Sequence, residues 1–221
     1  MKSSKNLDNK RVANVIGGSG LVGQQLILQL LESTEFEKVR SFVRRPSGIS
    51  HPKLEEITID FDQPESWNHK VQGDVLFSTM GTTIKTAKTK ENQYRVDFTY
   101  QYEFAKAASA NGVRSYILVS SMGANSKSSV FYSRIKGELE EAVSLLSFHK
   151  LIIFRPSILD GNRMEKRSGE KVGLLISRFI TKFLLKKYRP TPVKMLAEKM
   201  ILFSVDSTNG FRLVEGADIF H

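Results

Sequence analysis

The feature that most constrains the fold is a glycine-spaced stretch near the amino end of the chain. An apolar run, Val12-Ala13-Asn14-Val15-Ile16, precedes Gly17, Gly20 and Gly23, which recur every three residues. The next residues, Gln24-Gln25-Leu26-Ile27-Leu28-Gln29-Leu30-Leu31, place apolar side chains at helical spacing. This order of strand, glycine turn and helix predicts the first βα unit of a doubly wound parallel sheet, an α/β fold that binds dinucleotides.

Each glycine meets a different requirement of that unit. Gly17 ends the strand at a sharp turn, where a positive φ is often needed. Gly20 has no Cβ, so a pyrophosphate can approach the backbone, and Gly23 lets the helix pack closely on the sheet. The helix begins with free N–H groups and the positive end of its dipole, which attract phosphates. The cofactor-binding residues predicted here are Gly17, Ser19, Gly20, Leu21, Val22 and Gly23.

Length and composition bound the class of protein. The chain has 221 residues, which suits one domain, 1–221, with the last third (about 157–221) on the substrate side. The absence of cysteine excludes disulfides and thiolate metal sites and fits a reducing compartment, for which we expect the cytoplasm. The four histidines show no ligand spacing, so we expect no metal, and no apolar run is long enough for a membrane span.

The charge balance of the chain indicates which classes of partner it could bind. The formal net charge is +10, but lysine and arginine are scattered and form no basic motif. We therefore expect a surface that attracts an anionic cofactor, and no nucleic acid; a nucleic-acid-binding protein is an alternative supported by the net charge alone. The expected partner is a small-molecule substrate, and the chain is expected to be a monomer or a homodimer.

Two arginines follow the second predicted strand, Lys38-Val39-Arg40-Ser41-Phe42-Val43. In NAD-binding members of this fold, an acidic residue about twenty positions past the glycines takes the ribose 2′-hydroxyl. Arg44 and Arg45 occupy this region instead, and a guanidinium suits a 2′-phosphate. The sequence thus predicts NADP(H) in preference to NAD(H); the alternative is an ordinary solvated loop.

The middle of the chain continues the alternation of strands and helices. Strands are predicted over 54–61, over 73–83 together with a loop of small residues, and over 115–119. A helix is predicted over about 91–111, ending at Asn111-Gly112. Asp62 follows the third strand, where it either borders an adenine or is simply a polar strand end.

Tyr132 and Lys136 lie one helical turn apart in the next predicted helix. An ammonium beside a tyrosine favours the phenolate, which suits a tyrosine that donates and recovers a proton. Tyr102 and Lys106 show the same spacing, and we interpret that pair as structural. Tyr132 differs in context, because it follows a strand that ends in Ser120-Ser121.

At this point the sequence resembles the short-chain dehydrogenase/reductase superfamily, in its atypical NAD(P)-binding branch. It is most similar to the oxidoreductase group that includes the Tat-interacting protein. The matching segments span nearly the whole chain in order: Gly17 to Gly23, Val43 to Pro46, Gly81-Thr82-Thr83, Val96-Asp97, Val119 to Ala124, Tyr132 with Lys136-Gly137-Glu138, and Phe154-Arg155-Pro156-Ser157.

The resemblance implies a Rossmann fold and a set of site residues. Ser121, Tyr132 and Lys136 would be catalytic, with the choice between Ser120 and Ser121 open. The cofactor would also be contacted by Tyr132 and Lys136, and by Thr79, Met80, Gly81, Thr82, Ser120, Pro156, Ser157 and Ile158.

The chain also departs from the family pattern. Gly18-Ser19 stands where Ala-Thr is commoner, and Ser78-Thr79-Met80-Gly81 replaces Asn-Asn-Ala-Gly. The serine-to-tyrosine spacing is shorter than in sugar-nucleotide epimerases. The function predicted is an NADP(H)-dependent oxidoreductase of a small carbonyl or alcohol. The alternatives are a non-catalytic NADP(H) sensor and an epimerase- or dehydratase-like enzyme.

The last third is predicted to hold a strand over 151–156, a polar loop over 160–173 and a helix over 192–205, with a late strand over 211–214. Between the loop and that helix, residues 173–187 predict an amphipathic helix with a basic face. We interpret it as a core-packing helix with a solvated side; a membrane-surface or partner-binding helix is the alternative.

Overall fold

A seven-stranded parallel sheet forms the centre of the computed structural model, which describes residues 10–161 and 189–220. The spatial order of the strands is β3-β2-β1-β4-β5-β6-β9. The strands are β1 (Arg11–Ile16), β2 (Phe36–Val43), β3 (Leu54–Thr58), β4 (Val75–Ser78), β5 (Ser115–Val119), β6 (Lys150–Arg155) and β9 (Gly210–Glu215). A separate parallel pair joins β7 (Leu159–Asp160) to β8 (Thr191–Pro192).

Helices cover both faces of this sheet. They are α1 (Leu21–Glu32), α2 (Ile84–Ala87), α3 (Lys90–Tyr94), α4 (Tyr100–Ala110), α5 (Phe131–Ser144) and α6 (Val193–Val205). On one face α1 and α6 share an apolar cluster with side chains of β1, β4 and β6. On the other face α4 and α5 pack over a second cluster that includes Trp67, Phe104 and Tyr116. Because both faces of the sheet are buried, the sequences of its strands are largely continuous apolar runs.

The predicted fold class, a doubly wound parallel sheet, is confirmed. The third strand, predicted over 54–61, ends at Thr58. Beyond it, the carbonyl of Asp60 accepts a hydrogen bond from the indole N–H of Trp67 at 2.9 Å. The helix predicted over about 91–111 is interrupted, since Arg95–Thr99 form a π-helical segment between α3 and α4.

The C-terminal third joins the same layers. Strand β9 pairs with β6 along its whole length, and α6 packs against α1. The basic helix predicted over 173–187 and most of the loop predicted over 160–173 lie outside the described residues. The assignment of 157–221 to the substrate side therefore stays a prediction. Across 10–161 and 189–220, no helix is long and apolar enough to cross a membrane.

Parallel pairing brings the carboxyl ends of all seven strands to one edge of the sheet. The chain leaves β1 toward β2 and β3 on one side, and β4, β5 and β6 continue on the other. Ligands of open α/β sheets bind where the strand order reverses in this way. The candidate site is therefore expected beside the ends of β1 and β4.

Candidate functional site

The glycine turn has two positions that the fold itself requires. Gly17 has a φ of +80°, and a Cβ there would lie 2.6 Å from the backbone nitrogen of Met80. A Cβ on Gly23 would overlap the carbonyl oxygen of Gly17. The turn after β1 therefore packs directly on the end of β4 and on the first turn of α1.

Gly20 is different, because a Cβ there would approach backbone oxygens closely without overlapping them. Among the described residues, it would meet the Gly17 carbonyl oxygen at 3.2 Å and the Thr79 carbonyl oxygen at 3.9 Å. Gly20 is exposed and caps α1 without a side-chain hydrogen bond, and the first turn of α1 carries no acidic residue. The exposed Ser19 precedes it, and the half-buried Leu21 and buried Val22 follow. A free helix N-terminus of this kind suits phosphate groups.

The segment after β4 borders this turn. The hydroxyl of Thr79 donates to the carbonyl of Ile16 at 2.9 Å and so ties β4 to the end of β1. The carbonyl of Met80 accepts a hydrogen bond from the Lys136 ammonium at 3.4 Å. Gly81 is exposed, and the backbone N–H of Thr82 donates to Asp97 at 3.2 Å. The structure thus brings Thr79 and Met80 next to the glycine turn, and Gly81 and Thr82 next to Asp97.

The two arginines predicted to select NADP(H) are exposed at the carboxyl end of β2. In the part of the chain that the structure describes, neither guanidinium has a hydrogen bond or an ion pair. Both are therefore available to an anion near the strand-order reversal.

Asp62, predicted to border the adenine, is held by protein partners. Its carboxylate accepts a hydrogen bond from the Tyr100 hydroxyl at 2.7 Å and pairs with Arg95. Both contacts lower the pKa of Asp62, and the hydrogen bond from Tyr100 has the largest single effect. Asp62 links the loop after β3 to the π-helical segment, and its contact with a cofactor stays a prediction.

The two serines after β5 have different surroundings. Ser120 is buried, and its hydroxyl donates to Glu140, which is also paired with Arg155 through Nε at 3.0 Å. Ser121 is half-buried, and the one hydrogen bond that its hydroxyl makes among the described residues is to the carbonyl of Met122, at 3.3 Å. Ser121 is therefore the serine whose hydroxyl can turn toward a ligand.

Helix α5 carries the predicted tyrosine and lysine and lies against the same loop. A Cβ on Gly137 would overlap the backbone of Asn125 and Ser126, so the loop after β5 touches the helix there. Tyr132 is 38% exposed, whereas Lys136 is 2% exposed. One end of this helical face is thus open to a ligand, and the other is enclosed by protein.

The Lys136 ammonium lies 3.0 Å from the carboxylate of Asp97, which is fully buried. Burial lowers the pKa of Lys136, but the charge of Asp97 and then that of Tyr132 oppose it, and the net effect raises the pKa above its ordinary value. Lys136 is therefore a charged group at neutral pH despite its burial.

The segment after β6 closes the other side of the site. Pro156 is buried, and its carbonyl accepts the N–H of Met122 at 3.0 Å. The hydroxyl of Ser157 donates to the carbonyl of Arg189, and the carbonyl of the exposed Ile158 accepts the N–H of Thr191 at 2.8 Å. Predicted residues 156–158 therefore connect the loop after β5 to β8.

Three residues that the sequence analysis did not assign to the site are Asp97, Glu140 and Arg155. Val96-Asp97 and Arg155 belong to the matching segments of the family resemblance, which was the available signal. Lys106, in the pair interpreted as structural, is exposed and bonds Glu103 at 3.1 Å.

The residues described at 10–161 and 189–220 include no group of three or more histidine, aspartate or glutamate side chains placed for a metal. A polar cleft of about 280 Å³ lies at the opposite, amino-terminal edge of the sheet, between Arg11, Asp74, Arg114 and His149. None of the predicted site residues lines it.

The chain matches the family model described as NAD(P)H-binding over residues 17–150. Among curated proteins it is 39% identical over 156 residues to the mitochondrial protein FMP52-1 of Scheffersomyces stipitis, covering 68% of each chain. It is 33% identical over 214 residues to the mitochondrial protein FMP52 of Eremothecium gossypii, covering 94% of this chain and 95% of the relative.

Solved structures share the fold at low identity. The Bordetella bronchiseptica enzyme WbmH, in complex with NAD+, is 18% identical with a TM-score of 0.73, over 93% of this chain and 75% of that one. A UDP-N-acetylglucosamine 4-epimerase from Methanobrevibacter ruminantium is 17% identical with a TM-score of 0.68, over 94% and 77%.

The relatives correct one expectation and establish the family. These relatives are named as mitochondrial proteins, so the cytoplasmic location expected from the sequence is wrong. The absence of cysteine was a poor guide, because it is compatible with any reducing compartment. The match over 17–150, the relative from Eremothecium gossypii that is matched over 94% of this chain, and the parallel sheet agree with one another. The chain belongs to the NAD(P)H-binding family.

Proposed function

We propose that this protein is an NADP(H)-dependent oxidoreductase that acts on a small carbonyl or alcohol. The observation that carries the proposal is the arrangement on α5. A partly exposed tyrosine lies one turn from a buried, charged lysine, whose ammonium contacts the loop after β4. A phenol near a charged ammonium is suited to proton exchange with a substrate oxygen.

The residues present suit a dinucleotide. The open backbone at Gly20 and the free N-terminus of α1 would hold the pyrophosphate. Arg44 and Arg45 would hold the 2′-phosphate, since their guanidinium groups are exposed and unpaired among the described residues. The segments 79–82 and 156–158 would line the nicotinamide end. The nicotinamide supplies the hydride when it is bound.

The protein's own groups then handle the substrate oxygen. The Ser121 hydroxyl donates a hydrogen bond that orients the carbonyl. The Tyr132 hydroxyl transfers its proton to that oxygen as the alcohol forms. The Lys136 ammonium stabilises the resulting phenolate and donates to the nicotinamide ribose.

Calorimetric titration with NADPH and NADH, followed by NADPH oxidation with a panel of small aldehydes, ketones and quinones, tests the proposal. We expect NADPH to bind more tightly and at least one class of carbonyl to be reduced. The sensor alternative shares the cofactor groove, and tight NADPH binding without turnover of any panel member would favour it over the enzyme.

A further inference from the structure

We propose that Asp97 is a positioning residue that makes Lys136 a permanent cation beneath the cofactor site, so that Lys136 acts as a fixed charge and does not pass its proton to Tyr132. This inference rests on the proposed function. It assigns a role to a buried carboxylate that the proposed mechanism does not otherwise use.

Asp97 is held rigidly by the irregular turn in which it lies. It belongs to the π-helical segment Arg95–Thr99, and π-helical turns are rare and often occur at functional sites. Gln101 donates to the carbonyls of Val96 and Asp97, at 3.2 and 3.0 Å, and accepts from the hydroxyl of Ser78 at 2.7 Å. The carboxylate itself accepts the N–H of Thr82 and contacts Lys136. The wide turn thus fixes a charge where a regular helix would continue.

The donors of Lys136 are not all used by protein. An ammonium has three N–H donors. Among the described residues, the ammonium forms an ion pair with Asp97 at 3.0 Å and donates one hydrogen bond, to the Met80 carbonyl at 3.4 Å. A Cβ on the exposed Gly81 would lie 3.9 Å from Nζ and 3.5 Å from the Asp97 carboxylate, so the pair lies just below this backbone. Within 10–161 and 189–220 the ammonium makes no other hydrogen bond, which leaves donor capacity for a ligand.

A second buried lysine, at the opposite edge of the sheet, provides a comparison for the pair of Lys136 with Asp97. Lys150, with a side chain 5% exposed, lies 2.6 Å from Asp206 at the amino-terminal edge of the sheet. It also donates to the carbonyls of Phe203 and Asp206, at 3.0 and 2.7 Å, so all three donors are used. Among the described residues Lys136 makes one hydrogen bond where Lys150 makes three, and this difference points to a role of Lys136 beyond stability.

The electrostatic surroundings favour a fixed charge. The charged and titratable groups that act on Lys136 are Asp97 from the π-helical segment and Tyr132 and Glu140 from α5; the loop after β4 contributes the Met80 carbonyl. If Lys136 gave its proton to the phenolate, the fully buried Asp97 would lose its counterion, which is costly. Tyr132 is 38% exposed, so its phenolate oxygen forms a new O–H bond with a proton from a buffer acid or hydronium in the solvent.

The test compares Asp97→Asn with Asp206→Asn, the matched variant at the structural pair. Carbon-13 NMR of labelled lysine Cε atoms follows the titration of Lys136, with its signal identified by Lys136→Arg. We expect the Lys136 signal of the wild type to titrate only above the ordinary lysine value of 10.5. In Asp97→Asn it should titrate at lower pH, and NADPH affinity should fall about tenfold or more and become pH-dependent. In Asp206→Asn, affinity should change less than about twofold.

Several outcomes would overturn the inference. A wild-type Lys136 signal that titrates below the ordinary value would do so even if Asp97→Asn does not fold. Equal losses of NADPH affinity in both variants would mean that the Asp97 pair is only structural. Asp97→Glu, which keeps the charge, should restore the high titration of Lys136, and failure to do so would also count against it. A wild type that binds no NADPH would refute the proposed function and not this assignment, because the NMR titration needs no cofactor.

Discussion

The hydroxyl of Ser120 donates a hydrogen bond to the buried carboxylate of Glu140, which in turn binds the guanidinium of Arg155. Consecutive serines after β5 therefore have different roles. One anchors the loop to α5 and β6, and its neighbour is left to meet a ligand. The sequence leaves the choice between Ser120 and Ser121 open; this relationship favours Ser121, and it yields the first prediction.

We expect Ser121→Ala to lower carbonyl reduction by roughly 10²–10³-fold, the effect of losing one donor to a developing oxyanion, with little change in stability. Ser120→Ala should instead destabilise the fold by about 1–3 kcal/mol, because the buried Glu140 loses a hydrogen bond. Steady-state kinetics and urea unfolding of both variants separate the two effects. The reverse pattern would assign the catalytic hydroxyl to Ser120.

Gly20→Val tests the phosphate platform. The φ of Gly20 is −78°, which any residue adopts, so the variant should fold. Its branched side chain should fill the space that the pyrophosphate needs, and NADPH binding should be lost. Gly23→Ala is the contrasting variant, because its Cβ has no room against Gly17 and should destabilise the protein itself. Circular dichroism reports whether each variant folds, and calorimetry measures its NADPH affinity. A folded Gly20→Val protein with normal NADPH affinity would place the phosphate platform elsewhere.

We expect Arg44→Ala or Arg45→Ala, or both, to weaken NADPH binding. The loss should be about 1.5–3 kcal/mol for each guanidinium that contacts the 2′-phosphate. NADH binding should change little, because NADH has no such phosphate. Both side chains are exposed, so neither variant should lose stability. Titration of each variant with both cofactors makes the comparison. Equal affinity of the wild type for NADPH and NADH would contradict the predicted preference.

Tyr132→Phe should leave NADPH affinity almost unchanged and reduce turnover by roughly 10²–10⁴-fold, the usual contribution of a positioned acid. Tyr102→Phe is the control, since Tyr102 and Lys106 share the spacing but Lys106 is exposed and bonded to Glu103. Initial rates of NADPH oxidation provide the measurement. Turnover that survives Tyr132→Phe would remove this hydroxyl from the mechanism.

The ion pair of Lys150 with Asp206 predicts that the stability of the folded protein falls at low pH. Burial raises the pKa of Asp206, but the hydrogen bond from Lys150 and then that from Thr208 lower it, for a net value below 3.8. The folded carboxylate therefore stays ionised at pH values where the unfolded one is protonated. Its contribution is complete above the unfolded pKa and is lost as pH falls through the folded pKa.

Asp206→Asn should accordingly cost about 1–3 kcal/mol at pH 7 and less at pH 3. The free energy of unfolding in urea, measured at both pH values for wild type and variant, checks this difference. A cost that does not change with pH would mean that the ion pair contributes little.

The sequence by itself determined the elements that depend on local rules. The apolar run before Gly17, the helical spacing after it and the stop at Asn111-Gly112 predicted β1, α1 and the end of α4, all of which the structure contains. Strand β5 was predicted with its observed bounds. These features follow from φ restrictions and side-chain periodicity within a few residues, which a single sequence displays.

Only the tertiary structure decided which side chains meet. Nothing in the spacing of Tyr132 and Lys136 reveals that Asp97, from another helix, lies 3.0 Å from the ammonium, or that Glu140 engages Ser120. Such contacts join segments far apart in the chain, and the π-helical turn that points Asp97 inward depends on the Gln101 and Ser78 bonds around it. The charge state of a buried group is set by its neighbours in space, so it becomes readable only once the sheet has brought those neighbours together.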